Sequence, residues 1–91
     1  MLFFNLINIT FHQKKLMDKN DALKQLGQRI RQIRIDKGLS QAKLGLRIYK
    51  DQQSIHKIES GLFNPSYIYL LEICQGLEIS IEELFKQENK G

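Results

Sequence analysis

Residues 40–61 read SQAKLGLRIYKDQQSIHKIESG, and the rest of the chain is built around this segment. Leu44 and Ile48 stand four residues apart, while Ile55 and Ile58 stand three apart. Such spacings place each pair on one face of a helix, and polar residues fill the remaining positions. The stretch therefore predicts two short helices, each burying one narrow apolar stripe.

The ends of both helices also carry recognisable signals. Ser40 and Asp51 can accept hydrogen bonds from the open N–H groups of a first helical turn. Gly61 suits the position just after the second helix. Only Tyr49 and Lys50 remain between the two helices. The connection is so short that the second helix must turn sharply away from the first.

The start of the second helix presents polar side chains outward, namely Gln52, Gln53 and Ser54. A glutamine amide has a donor and an acceptor, which can match the N6 and N7 atoms of adenine in the major groove. A helix start also offers N–H groups and partial positive charge to a phosphate. A solvated polar helix face is the alternative interpretation of the same residues.

Size and charge narrow the class of protein. The chain has 91 residues and a net charge of +4, which fits one small domain. Residues 1–60 hold twelve Lys or Arg against five Asp or Glu, whereas residues 61–91 hold two against five. One basic side suits contact with a polyanion, although basic surfaces also serve solubility.

Few residues of the chain are of the kinds that form disulfides, bind metals or catalyse reactions. Cys74 is the only cysteine, which excludes an intrachain disulfide and favours a cytoplasmic location. His12 and His56 lack carboxylate or cysteine partners at ligand spacing, so we expect neither a metal site nor a cofactor. No nucleophile stands beside a base, so we do not expect an enzyme.

Residues 1–19 form an N-terminal leader before a domain at 20–88 and a tail at 89–91. The first eleven residues, MLFFNLINITF, are too few to span a bilayer and lack the features of a signal peptide. They suit a disordered leader with Met17 as the working start, a short strand that pairs with its twin in a dimer, or an apolar tail tucked onto the domain. We favour the first alternative.

Three further helices complete the domain. One runs from about Asp21 to Gly38, with Leu23, Leu26, Ile30 and Ile33 on its apolar side. Ser66 and Ser80 can each cap a later helix. The residues expected to be apolar contacts there are Leu70, Leu71, Cys74, Leu77, Ile81, Leu84 and Phe85. Five short helices joined by short turns make an all-α fold.

With these residues placed, the chain resembles the lambdoid phage repressor and Cro family of helix-turn-helix DNA-binding domains, also called the XRE family. The resemblance runs from about Leu26 to Phe85. LGQRIRQIRIDKGLSQAKL resembles the opening of the family, SIHKIESG its recognition-helix end, and LLEICQGLEISIEEL its last two helices. The segment DQQSI is similar to the TQQSI reading head of one lambdoid phage repressor. The resemblance implies a five-helix lambda-repressor-like domain, with the helix-turn-helix at helices 2 and 3.

The resemblance also implies roles for individual residues. The base-reading residues would be Gln52, Gln53, Ser54 and Lys57. The residues that bind or face phosphates would be Gln41, Arg34, Lys43, Lys50 and Asn64. Gln41 would also brace Gln52. Arg34 and Glu59 match a family pair in which a buried carboxylate holds the arginine near the DNA backbone; an ordinary surface ion pair is the alternative.

Three residues depart from the family pattern. Tyr49 replaces the usual turn glycine, so the turn must avoid a positive φ or accept strain. Gly45 replaces the usual alanine, which lowers helix propensity by about 1 kcal/mol but permits close helix approach. Asp51 replaces a neutral cap, and its charge would repel a nearby phosphate.

These features predict a transcriptional regulator, acting as a repressor by occupying operator DNA. One helix contacts few base pairs, so we expect a homodimer on a pseudo-palindromic operator with half-sites about 34 Å apart. Its interface would comprise Ile79, Ile81, Leu84 and Phe85, unless these residues only complete the core. The same domain could serve as an antitoxin with a toxin partner or as a restriction-modification controller. A protein-interaction module that has lost DNA binding is the remaining alternative, with Asp51 as its indication.

Overall fold

The computed structural model describes residues 17–86, which form five α-helices and no strand. The helices are α1 (Lys19–Asp36), α2 (Gln41–Arg47), α3 (Gln52–Glu59), α4 (Tyr67–Leu77) and α5 (Ile81–Phe85). The predicted all-α fold, with its helix-turn-helix at α2 and α3, is confirmed. The predictions for the leader up to residue 16 and for the tail at 89–91 lie outside the described residues. Between residues 17 and 86, no helix is long and apolar enough to cross a membrane.

Side-chain caps start every one of these helices, because the first N–H groups of a helix have no partner within it. The predicted caps Ser40, Asp51, Ser66 and Ser80 are confirmed. The predicted start of α1 at Asp21 is two residues late. Asp18 accepts a hydrogen bond from the Asn20 N–H at 2.8 Å, so the helix begins at Lys19, within the stretch assigned to the leader.

The end of α3 has the geometry of a Schellman cap. Gly61 adopts a φ of 76°, which a glycine tolerates without steric cost. Its N–H donates to the Ile58 carbonyl at 3.1 Å, and the Leu62 N–H donates to the Lys57 carbonyl at 2.9 Å. Both bonds satisfy carbonyl groups that the helix leaves open. The residues just after α3 are therefore tied to its last turn.

The core gathers one apolar stripe from each helix. Its buried members are Ile30, Ile33, Leu44, Ile48, Ile55, Ile58, Ile73, Cys74, Leu77 and Leu84. Ile73 was not predicted, whereas Leu26 and Leu70 are only partly buried and pack against this core. Cys74 is a small core residue as predicted, and burial raises the pKa of its thiol.

Packing between the helices depends on contacts that the sequence pattern did not indicate. Helix α3 packs on both α1 and α2, α4 packs on α2, and α5 packs on α4. At Gly27 a Cβ atom would collide with the carbonyl oxygens of Ile58 and Glu59, so glycine allows α1 to approach α3 closely. Arg29 of α1 donates to the carbonyl oxygens of Glu83 at 2.8 Å and Leu84 at 3.1 Å. These bonds hold the end of α5 against α1.

The turn between α2 and α3 explains two departures from the family pattern. Tyr49 has a φ of 61° and is 95% exposed, so the turn keeps the left-handed conformation at a cost of about 1–2 kcal/mol. At Gly45 a Cβ atom would collide with the Lys50 carbonyl oxygen. The Lys50 N–H donates to the Gly45 carbonyl at 2.9 Å. Gly45 thus serves this tight turn, which leaves no room for the usual alanine.

Candidate nucleic-acid interface

The exposed face of α3, the start of α2 and the segment after α3 surround one cleft. Its volume is about 500 Å³. We call it the α3 cleft, and its lining residues are Gln41, Gln52, Gln53, His56, Lys57 and Leu62. The cleft thus brings together four of the residues predicted to contact DNA.

The sequence of α3 accounts for the outward direction of these side chains. Ile55 and Ile58 are each 1% exposed and anchor one face of the helix in the core. Gln53 and Lys57 lie on the opposite side and are exposed, and Gln52 is exposed at the first position of the helix. Because positions two residues apart on a helix point in nearly opposite directions, burying Ile55 directs Gln53 outward.

Asp51 caps α3 at the end that carries the glutamines. Its Oδ1 atom accepts from the Ser54 N–H at 2.8 Å. Hydrogen bonds from the side chain and the backbone of Ser54 hold the pKa of this carboxyl below its ordinary value, with a smaller contribution from the Lys57 charge. Asp51 is therefore ionised at neutral pH, and it places a negative charge at the start of α3.

A buried ion pair lies beneath the α3 cleft. The Arg34 Nε atom donates to Glu59 Oε2 at 2.6 Å, and its Nη2 atom donates to Oε1 at 2.9 Å. The side chains are 9% and 2% exposed. The Nη1 atom of Arg34 also donates to the Leu39 carbonyl at 2.7 Å. This two-point geometry matches the buried pair that the resemblance implies, and the burial rules out an ordinary surface pair.

Gln41 connects this ion pair to the cleft. Its Nε2 atom donates to Glu59 Oε1 at 3.0 Å, so the bracing partner in this structure is Glu59 rather than the expected Gln52. An amide has a second N–H and a carbonyl oxygen, which can still serve a phosphate. The network therefore runs from α1 through α3 to the first residue of α2 and orients Gln41 at the cleft.

The other residues expected at DNA lie elsewhere. Ser54 is half-buried in the cap, while Lys43 and Asn64 are exposed but do not line the cleft. The Lys50 ammonium lies 3.9 Å from Glu72 Oε1 and 4.7 Å from the centre of the Tyr69 ring. Direct phosphate contacts by the exposed residues stay predictions. For Arg34, burial favours a role in positioning neighbouring residues over a direct contact with a phosphate.

Tyr69 provides the platform under Lys50. Its ring meets Phe63 edge-on, with centroids 6.1 Å apart and an interplanar angle of 64°. Burial raises the pKa of the Tyr69 hydroxyl, so the ring stays neutral and presents its face to the cation. Lys50 is thus oriented toward α4.

The proposed dimer residues divide between core and surface. Leu84 is 1% exposed and completes the core of its own chain, so its side chain does not lie on an available surface. Phe85 is 59% exposed, and Ile79 and Ile81 are partly buried. Any apolar surface at this end is therefore presented mainly by Phe85.

Two residues of the α3 cleft, His56 and Leu62, were not predicted to belong to the site. His56 follows Gln52 by one helical turn, so the same periodicity that placed the glutamines could have found it. Leu62 lies beyond the helix, where periodicity no longer applies. Its position depends on the cap at Gly61.

Comparison with known proteins agrees with this architecture. The family described as helix-turn-helix matches residues 30–84. The uncharacterized HTH-type transcriptional regulator YgzD of Bacillus subtilis is 31% identical over 63 residues, covering 69% of this chain and 96% of that protein. The uncharacterized HTH-type transcriptional regulator y4dJ of Sinorhizobium fredii is 36% identical over 64 residues, covering 70% and 83%. The restriction-modification controller protein C.AhdI from Aeromonas hydrophila superposes with a TM-score of 0.72 at 35% identity, covering 76% of this chain and 100% of that one.

Proposed function

Because this chain belongs to the helix-turn-helix family of lambda-repressor-like (XRE) transcriptional regulators, we propose that it binds a specific DNA sequence as a homodimer and represses transcription from it. The observation that carries the proposal is the α3 cleft. Two exposed glutamines at the start of α3 and one lysine a turn later converge there with Gln41 of α2. This arrangement offers donors and acceptors to base edges and positive charge to phosphates.

The buried network supports base reading by limiting motion. Glu59 accepts hydrogen bonds from both Arg34 and Gln41, so three helices keep a common orientation around the cleft. A side chain that must match the N6 and N7 atoms of one adenine needs such support, because a bidentate contact fails when the helix shifts. The network would therefore contribute to specificity without touching a base.

We expect a dimer because the recognition helix of one copy covers only a short stretch of DNA. Helix α3 has eight residues, and a single helix of this length contacts only a few base pairs. Two copies related by a two-fold axis would contact half-sites about 34 Å apart. Phe85, with Ile79 and Ile81 beside it, is the surface that we assign to the second copy. This surface belongs to the acidic C-terminal part, which would keep it away from the polyanion.

A binding experiment with matched variants tests the proposal. The preferred site is first selected from random duplexes and its affinity measured by fluorescence anisotropy. Gln52→Ala or Gln53→Ala should then weaken binding to that site by about 1–3 kcal/mol per base contact, with little change on random DNA. Gln75→Ala, an exposed glutamine of α4 outside the cleft, should have no effect. An equal loss on both DNAs would argue against base reading.

Two further measurements test the partner and the assembly. The logarithm of the affinity should fall linearly with the logarithm of the salt concentration, in proportion to the phosphates neutralised. Sedimentation of Phe85→Lys should show a monomer where the unchanged protein sediments as a dimer. Salt-independent binding to a protein, with no DNA complex, would instead support an interaction module. A cytoplasmic location is part of the proposal, because the proposed target is DNA.

A second candidate function is control of a restriction-modification system. It is favoured by the superposition with C.AhdI, which this chain covers over its whole length. In that case the selected site should occur upstream of this gene and of an adjacent restriction endonuclease gene. A genomic neighbourhood without such a gene would exclude this candidate and leave the general proposal intact.

A further inference from the structure

Leu62 differs in character from the rest of the α3 cleft. The other five lining residues are polar, whereas Leu62 is apolar and 73% exposed. Apolar surface left in water contributes nothing to folding. The exposed part of Leu62 therefore gains favourable burial only when something apolar enters the cleft.

The position of Leu62 relative to α3 is set by its backbone. The hydrogen bond from its N–H to the Lys57 carbonyl measures 2.9 Å, and the φ of Gly61 is 76°. This cap ends α3 and ties the backbone of Leu62 to the last turn of the helix. A helix that enters a groove would therefore carry Leu62 with it at a defined distance from Gln52.

We propose that Leu62 is a specificity-determining residue that packs against the 5-methyl group of a thymine in the DNA site; this inference rests on the proposed function. The thymine methyl is the apolar feature that the major groove presents, and leucine has no polar atom to read any other base edge. Leu62 follows Gln52 by ten residues, which corresponds to about 15 Å at the helical rise, and base pairs rise by about 3.4 Å. The thymine should thus lie within about five base pairs of those contacted by Gln52.

Replacing single thymines by uracil tests the contact, because uracil lacks only the 5-methyl group. Each thymine of one half-site of the selected DNA is replaced in turn, and the dissociation constant is measured by fluorescence anisotropy. At one position the unchanged protein should bind about fourfold more weakly, the size expected for one buried methyl group. Leu62→Ala should bind thymine and uracil equally at that position.

Matched variants and a second base separate this contact from indirect effects. Leu46→Ala removes another leucine that is 73% exposed but lies outside the cleft, so it should keep the fourfold difference. Leu62→Met should also keep it, because methionine retains an apolar side chain. At the same position, 5-methylcytosine should bind the unchanged protein about fourfold more tightly than cytosine, and Leu62→Ala should not distinguish them.

The outcomes separate the inference from the proposed function. If the unchanged protein selects a DNA site but no thymine shows a methyl effect that Leu62→Ala removes, the inference about Leu62 is wrong and the proposed function stands. If the unchanged protein selects no DNA site, both are wrong. Circular dichroism of Leu62→Ala should match that of the unchanged protein, since the cap uses only its backbone.

Discussion

Neutralising Glu59 should destabilise this protein more than any change on its surface. Glu59→Gln keeps the shape of the side chain but leaves the Arg34 guanidinium without its counter-charge at a site where that side chain is only 9% exposed. Removing one partner of a buried pair costs about 3–5 kcal/mol, because the remaining charge cannot return to water. A domain of about 70 residues has a total stability of about 3.5–10 kcal/mol. The substitution should therefore remove at least about 30% of the free energy of unfolding.

The hydrogen-bond geometry of Arg34 and Glu59 favours a loss in the upper part of the range of about 3–5 kcal/mol. Arg34 forms two short bonds to the carboxylate, at 2.6 and 2.9 Å, and only one to a carbonyl. The carboxylate also accepts from Gln41. Bonds to a charged group contribute about 1.5–3 kcal/mol each, and a glutamine amide can replace only part of this set. In urea unfolding followed by circular dichroism, the midpoint should fall without a change in slope.

Two variants complete the experiment. Replacing both partners, as Arg34→Met with Glu59→Leu, should be nearly neutral or stabilising, because no charge remains to be buried. Glu72→Gln provides a matched control, since its pair with Lys50 is only partly buried and should contribute less than about 1 kcal/mol. A loss for Glu59→Gln as small as that of the control would refute the argument from burial.

Three other changes have definite expected results. Tyr49→Gly should raise the free energy of unfolding by about 1 kcal/mol, and the melting temperature by about 4–8 °C, because it relieves the left-handed conformation of an exposed residue. Gly27→Ala should lower the free energy of unfolding by about 1–3 kcal/mol in the same thermal assay, since a methyl group would force α1 away from α3. Asp51→Asn keeps a good cap but removes the charge at the start of α3, so anisotropy should show tighter binding to all DNA sequences. Because the pKa of Asp51 is lowered by folding, its charged cap stabilises above the ordinary value of 3.8 and loses this effect as the pH falls through the lowered value. Acid unfolding should show this loss in the unchanged protein but not in Asp51→Asn.

Each of these predictions has its own contrary result. Gly38→Ala serves as the control for Tyr49→Gly, because its φ is 74° and an added Cβ atom meets nothing within 4 Å. It should cost about 1 kcal/mol through conformation alone. A less stable Tyr49→Gly, an unchanged melting temperature for Gly27→Ala, or weaker binding by Asp51→Asn would contradict the corresponding physical argument.

The all-α architecture and the exposed glutamines could be predicted from the amino-acid sequence alone. These features depend on local rules, since caps act within three residues and a helical face repeats within four. Ser40 and Asp51 cap their helices as predicted, and Gln52 and Gln53 are exposed at the start of α3 while Ile55 and Ile58 are buried. The pairing of Arg34 with Glu59 was anticipated only through the resemblance, because spacing alone does not bring together residues that lie 25 positions apart.

Contacts between residues far apart in the chain depend on how the helices pack in three dimensions. Packing brings the Gln41 amide into a hydrogen bond with Glu59 and the Lys50 ammonium over the Tyr69 ring. It also buries Leu84 while Phe85 remains exposed. The bond from Arg29 to the Leu84 carbonyl joins residues 55 positions apart. The physical reason is that helical periodicity specifies the direction of a side chain within its own helix. What that side chain contacts depends on how closely and at what angle the helices pack.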